Sequence, residues 1–247
     1  MTTSIWQRIH QIVICAFTLG LSVSVMAVQP LKLQKHGEEL TITRNNQSVA
    51  TLSVTGTNGL SQKVKTTMLD SATFQITYHF QAKQYIDSTR IEVRLTHPQK
   101  SSFWMIPSVS YNGNHWGKGL EPKGASENGE WRTYSYRRTP IPGAMYSEGE
   151  QYAIASWSTT PQTDHEDFAI SLQPEDLRTT HAYIWPEEEM PTCYASRDRF
   201  TKGIRPARPL RKGQQVSLIL YLHIVPTQPE HTAMQSFLHY AWQKADK

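Results

Sequence analysis

Glu148 closes the one stretch of this chain in which groups able to hold or polarise a polar ligand crowd together. Phe103 to Gly149 reads FWMIPSVSYNGNHWGKGLEPKGASENGEWRTYSYRRTPIPGAMYSEG, with Trp, Tyr, Asn and Arg set among Gly and Pro. Aromatic rings stack on the C–H faces of a sugar, while amides and charged groups bond to its hydroxyls. On that chemistry the candidate carbohydrate contacts are Tyr111, Asn112, Asn114, His115, Trp116, Arg138, Tyr146 and Glu148. Glycoside hydrolysis would need a second carboxylate opposite the first. Glu121, Glu127 and Glu130 lie in the same insertion, but sequence spacing places no two at catalytic separation. A self-sufficient hydrolase or isomerase would have to combine Glu148 with His115.

Other chemistries lack a signature. No G-x-S-x-G nucleophile elbow is present, and His165-Glu166-Asp167 is an acidic cluster that nothing completes into a metal site. No phosphate-cradling glycine loop occurs, so neither a metal nor a cofactor is expected. A net charge of +4 is spread along the chain, and the only local basic run, Arg205 to Lys212, is broken by prolines. Nucleic-acid binding calls for a denser stripe.

These residues need rigid elements beneath them. Phe103 to Val109 reads as a strand broken at Tyr111-Asn112-Gly113-Asn114, and Trp131 to Arg138 as a returning strand with one of Arg137 and Arg138 facing inward. A buried arginine needs a partner, for which Glu148 is available. Thr139 to Gly143 (TPIPG) is a stiff turn presenting Tyr146, Ser147 and Glu148 as loop residues. Elsewhere, Thr73 to Gln81 places Phe74, Ile76, Tyr78 and Phe80 on one face, and Arg90 to Thr96 does the same with Ile91, Val93 and Leu95. Period-two alternation marks antiparallel strands with one buried face. Asn45-Asn46 is a hairpin turn, and Gln151 to Trp157, Phe168 to Leu172 and Ala182 to Trp185 add strands. Val216 to Val225 is apolar enough to lie mid-sheet with both faces covered. Trp104, Trp131 and Trp157 fall in strands and read as core.

The expected architecture is all-β: an antiparallel two-sheet β-sandwich over residues 28–229, followed by an amphipathic helix over 230–247. That helix carries Met234, Phe237, Leu238, Ala241, Trp242 and Ala245 on one face. It either folds back onto the sandwich or leads into a further domain. Residues 1–27 have a basic flank, an apolar run from Ile12 to Val25 and small residues at the end, the pattern of a cleaved signal peptide, with an uncleaved membrane anchor as the rival reading. Export to the periplasm or outside the cell follows, with no membrane contact after cleavage. Cys193 alone then remains, so the fold rests on its core rather than on a disulfide.

Two runs also carry a resemblance. Ile106-Pro107-x-x-x-Tyr111-Asn112-Gly113-Asn114 and Arg138-Thr139-x-Ile141-Pro142-Gly143-Ala144-x-Tyr146-Ser147-Glu148-Gly149 resemble the N-terminal galactose-mutarotase-like supersandwich of bacterial six-hairpin glycosidase-like proteins. In those proteins a helical (α/α)6 barrel follows and usually supplies the acid and base, and Leu238-x-x-Ala241-Trp242 looks like the helix entering it. The resemblance implies a carbohydrate-directed accessory domain without its own catalytic set, working with a helical-barrel glycosidase partner. A structural envelope protein docking through its terminal helix is the third reading.

Overall fold

A computed structural model describes residues 30–111, 133–158, 168–188 and 207–245. Alternation of apolar and polar side chains, the period that lets a strand bury one face, organises it. Among the described residues, one seven-stranded antiparallel sheet has the order β1 (Lys32–His36), β2 (Glu39–Arg44), β3 (Gln47–Thr55), β7 (Ile91–His97), β14 (Thr179–Trp185), β13 (Ala169–Pro174), β10 (Tyr134–Ser135). The second has the order β4 (Leu60–Met68), β5 (Thr73–Ala82), β16 (Gln215–Pro226), β12 (Tyr152–Ser158), β11 (Met145–Glu148), β8 (Phe103–Ile106), β9 (Ser110–Tyr111). A small ribbon pairs β6 (Ile86–Thr89) with β15 (Arg208–Leu210). The all-β sandwich and its terminal helix, α1 (Thr232–Ala245), match the expected class. None of the helical segments among the described residues is long and apolar enough to cross a membrane.

The main core lies between the sheets. Phe74, Ile76, Tyr78 and Phe80 of β5, with Leu218, Leu220 and Leu222 of β16, meet Leu52, Val93 and Leu95 of the first sheet. Asn45 and Asn46 take φ of 54° and 61°, the left-handed pair that a tight hairpin requires. β16 lies mid-sheet as expected, but it alternates: its inner side chains are buried and most outer ones only half-buried. The terminal helix folds back onto the sandwich, against β12 and β16. Trp242 leaves its apolar face and is 63% exposed, whereas Phe237 and Ala241 are buried.

A polar bridge also spans the core. His181 of β14 lies between two serines of the other sheet, with Nε2 2.9 Å from Ser147 Oγ and Nδ1 2.7 Å from Ser156 Oγ. A neutral imidazole donates from one nitrogen and accepts at the other, so one serine accepts and the other donates. The Tyr183 hydroxyl lies 2.9 Å from both Ser156 Oγ and the Gly143 carbonyl. Gly143 has φ 67°, and a side chain there would press within 3.1 Å of the Tyr183 ring. His97 is also fully buried, and among the described residues only Gln99 comes near its ring nitrogens, without good hydrogen-bond geometry.

Burial lowers His97 to about 4, with Gln99 pulling the other way. Burial, aided by His97, lowers His181 to about 3. Both values lie below the ordinary 6.5 of an unfolded histidine. Their contribution is therefore complete above that pH and is lost as pH falls towards 4. At about pH 5 each imidazole should remove about 2 kcal/mol of stability relative to neutral pH. Urea midpoints should drop accordingly between about pH 7.5 and about pH 5. His97→Gln should flatten that drop by roughly half, since one of the two titrations is gone; equal midpoints for the wild type at both pH values would contradict the assignment.

Candidate functional site

Cross-strand partners point to the same side of a sheet. On the outer face of the second sheet, Tyr111, Met105, Tyr146, Ala155, His223 and Thr73 form one row across β9, β8, β11, β12, β16 and β5. Phe103, Glu148, Ala153 and Val225 form the next row. Tyr221 and Trp157 pair in the row beyond the first, on the same outer face, their rings stacked at 5.3 Å. Tyr111, Tyr146 and Glu148, three residues expected to touch a ligand, thus share one face of one sheet.

The structure corrects how two of them are presented. Tyr146 and Glu148 are buried residues of β11, 1% and 2% exposed, with Glu148 as its last residue, rather than tips of a loop. The Thr139–Gly143 turn delivers the chain straight into a paired strand, which α1 then covers. Glu148 does not pin Arg137 or Arg138 either. Its Oε1 accepts the Tyr146 hydroxyl at 2.5 Å and its Oε2 accepts His231 Nδ1–H at 2.6 Å. The expected returning strand is reduced to β10, and residues 136–138 form a 3-10 turn in which Arg137 and Arg138 are both exposed. Tyr111 stands at the sheet edge, 51% exposed. Asn112, Asn114, His115 and Trp116 lie outside the described residues, as do Trp131, His165, Cys193 and the signal segment.

The cover is fastened at both ends. At the helix start, Glu230 and His231 take φ of 55° and 56°, a conformation that costs non-glycine residues free energy. It carries the His231 ring onto Glu148 and to 4.2 Å from the Phe103 ring. Further along, Phe237 packs on Tyr146 and Trp157 at 6.1 and 5.4 Å. Tyr240 stacks on His223 at 5.3 Å, and His223 Nδ1 is 2.9 Å from Thr73 Oγ1. Burial would raise Asp70, beside this end, but the Ala72 N–H and the Thr73 and Tyr240 hydroxyls outweigh it and hold its carboxyl below the usual range. Burial, reinforced by the carboxylate of Glu148, raises Tyr146 so that it stays a protonated donor.

His231, His223 and Tyr240 were not singled out in the sequence, and only their position near an amphipathic helix hinted at a docking role. Chemically the site is an acid held by a phenol and an imidazole under an aromatic lid. With both oxygens engaged and the helix in place, the Glu148 carboxylate offers no open side to a reacting atom. Among the described residues no group of His, Cys, Asp or Glu is placed to hold a metal.

The fold and site together define an all-β two-sheet protein whose second sheet is covered on part of its outer face by its own terminal helix. No protein-family model and no curated protein matches the chain. Among solved structures it is similar to one titled a putative aldose 1-epimerase from Escherichia coli K12, at 11% identity and a TM-score of 0.32. The likeness covers 80% of this chain and 69% of that one. At that level of superposition it carries no argument about what this chain does.

The clasp makes a local prediction. His231→Ala should speed amide hydrogen exchange in α1 by about tenfold, as expected from losing one hydrogen bond to a charged group at a half-exposed site. Amides of β5 and β16 should keep their protection. Equal acceleration in helix and sheets would show that His231 does not act as a local fastening.

Proposed function

We propose that this chain is an exported carbohydrate-binding β-sandwich that assists a glycoside-active partner and has no catalytic set of its own. One observation carries the reading: an exposed tyrosine, Tyr111, shares a row and a sheet face with Tyr146, beside the row of Glu148 and Phe103. An exposed aromatic ring at a sheet edge gives a sugar ring a face to stack on, and the buried Tyr146 and Glu148 hold the strands beneath it rather than touch the ligand. The resemblance of residues 106–114 and 138–149 to the supersandwich of six-hairpin glycosidase-like proteins supports the same reading. The burial of Glu148 speaks against its serving as an acid or base while α1 stays docked. A second reading, docking onto another chain through the helix, is favoured by Trp242, an apolar ring of α1 left 63% exposed.

Affinity electrophoresis of the full chain in gels cast with a panel of neutral and acidic polysaccharides tests the first reading. At least one polymer should retard the protein, and Tyr111→Ala should weaken that retardation about three- to tenfold, the range for losing one aromatic contact. Migration unaffected by every polymer would overturn it. Trp242→Ala separates the second reading, because it should dissociate a complex without touching polysaccharide retardation.

A further inference from the structure

The helix covers only part of the second sheet's outer face. The remainder is built by β4, β5 and the first half of β16, and it differs from the covered part in kind. Lys63 pairs with His79, which pairs with Ser217. Lys65, Thr77 and Ile219 form the next row, and Thr67, Gln75 and Tyr221 the one after. Lys63, Lys65 and His79 are exposed, and the His79 ring is oriented by Ser217 Oγ at 2.8 Å. Inner side chains of β5 and β16 fill the core, so these groups stand on the solvent side.

The charge carried by the three strands themselves has a single sign. LSQKVKTTM, TFQITYHFQA and QVSLILYLHIVP, the three strands, contain no Asp or Glu. Of the acids in the adjoining segments, Asp70 keeps its charge at the end of the face next to α1, bonded by the Ala72 N–H at 2.8 Å and by Thr73 and Tyr240, and Asp87 of β6 accepts the Tyr85 hydroxyl at 3.2 Å. Alternate residues of one strand stand about 7 Å apart, so the two ammonium groups form a line along β4 that a polymer with repeated anionic groups can follow. Beside them lie the amide of Gln75, the hydroxyls of Thr67 and Thr77, and the half-buried ring of Tyr221, braced from one side by Trp157. Cations for carboxylates, amides and hydroxyls for sugar hydroxyls and a braced ring for a pyranose face make up the set.

We propose that this open half of the second sheet binds an acidic polysaccharide, with carboxylates of successive sugars on Lys63 and Lys65 and a ring against Tyr221. The inference rests on the carbohydrate reading above and adds a second contact surface, at the edge of the sheet opposite Tyr111, with its own ligand class. Lysine is a flexible point charge, so the contact selects for charge and spacing more than for one sugar geometry.

The test uses the full chain, polygalacturonate as the acidic probe and dextran as the neutral one, with binding read by affinity electrophoresis or calorimetry. Polygalacturonate should bind, and the Lys63→Ala/Lys65→Ala double variant should bind it about tenfold more weakly. Raising salt from about 50 to about 200 mM should weaken the wild type by a similar factor, as screening requires. Both lysines are exposed, so unfolding midpoints of wild type and variant should coincide. If polygalacturonate binds no better than dextran, or the variant equals the wild type, the inference falls and carbohydrate binding elsewhere on the chain stands. If neither these polymers nor the wider panel is bound, both fall. If single-stranded DNA or phosphatidylglycerol vesicles bind as tightly, with the same loss in the variant, the face is a general polyanion surface and the commitment to a glycan is overturned.

Discussion

Over half its width the second sheet is apolar on both sides, and that constraint governs the rest of the structure. Its inner face is buried against the first sheet. Outside, Tyr146, Ala153, Ala155 and Trp157 would meet water without α1, which brings Ala233, Phe237 and Ala241 onto them. The same burial encloses Glu148 and His223, and an enclosed polar group is costly unless it is paired. The segment entering α1 supplies His231 to the first; the second is hydrogen-bonded by Thr73 of its own sheet and capped by the Tyr240 ring of α1. For Glu148, cover and counter-group arrive together. That coupling explains why a left-handed backbone at Glu230 and His231 is tolerated where the chain turns onto the sheet.

Much of this scaffold was legible in the sequence, because period two is a local property. β5 and β7 announce themselves by alternation, β16 by its apolar run, the Asn45-Asn46 turn by its residue types, and α1 by an apolar stripe. β4 did not: LSQKVKTTM is an edge strand with a solvated face, and too little of it is apolar to show a pattern. The site was legible in part. Tyr146 and Glu148 were found by residue type and misplaced by context, since TPIPG before them suggests an exposed loop. A carboxylate deep in a strand is intelligible only once its partner is known, and His231 stands 83 residues away. No local window holds both.

The polar bridge through the core follows a related logic. In β14 every residue is buried, because Ala182 and Ile184 pack with Ala169 on the outer face while His181 and Tyr183 face the other sheet. Sequence shows TTHAYIW as a strand but cannot say that its histidine will face two serines. Satisfying that imidazole fixes the register of β14 against β11 and β12, since a slip of one residue would turn His181 outward and leave Ser147 and Ser156 unpaired. Gly149, after β11, takes part in the same fit: a side chain there would fall 2.7 Å from His97 and 2.4 Å from Gln99.

What remains is the contrast between the two halves of one outer face. Charged residues on an edge strand have a structural use, because Lys63 and Lys65 discourage another chain from pairing with β4. That need is met by charge of either sign on the edge strand alone. It does not account for His79, Gln75 and Thr77 on the neighbouring β5, nor for three adjacent strands without a carboxylate. A surface whose only task was to stay solvated would intersperse both signs. Edge protection therefore explains that β4 is charged; the polar, carboxylate-free outer face of β5 beside it is what the proposed anion site would add.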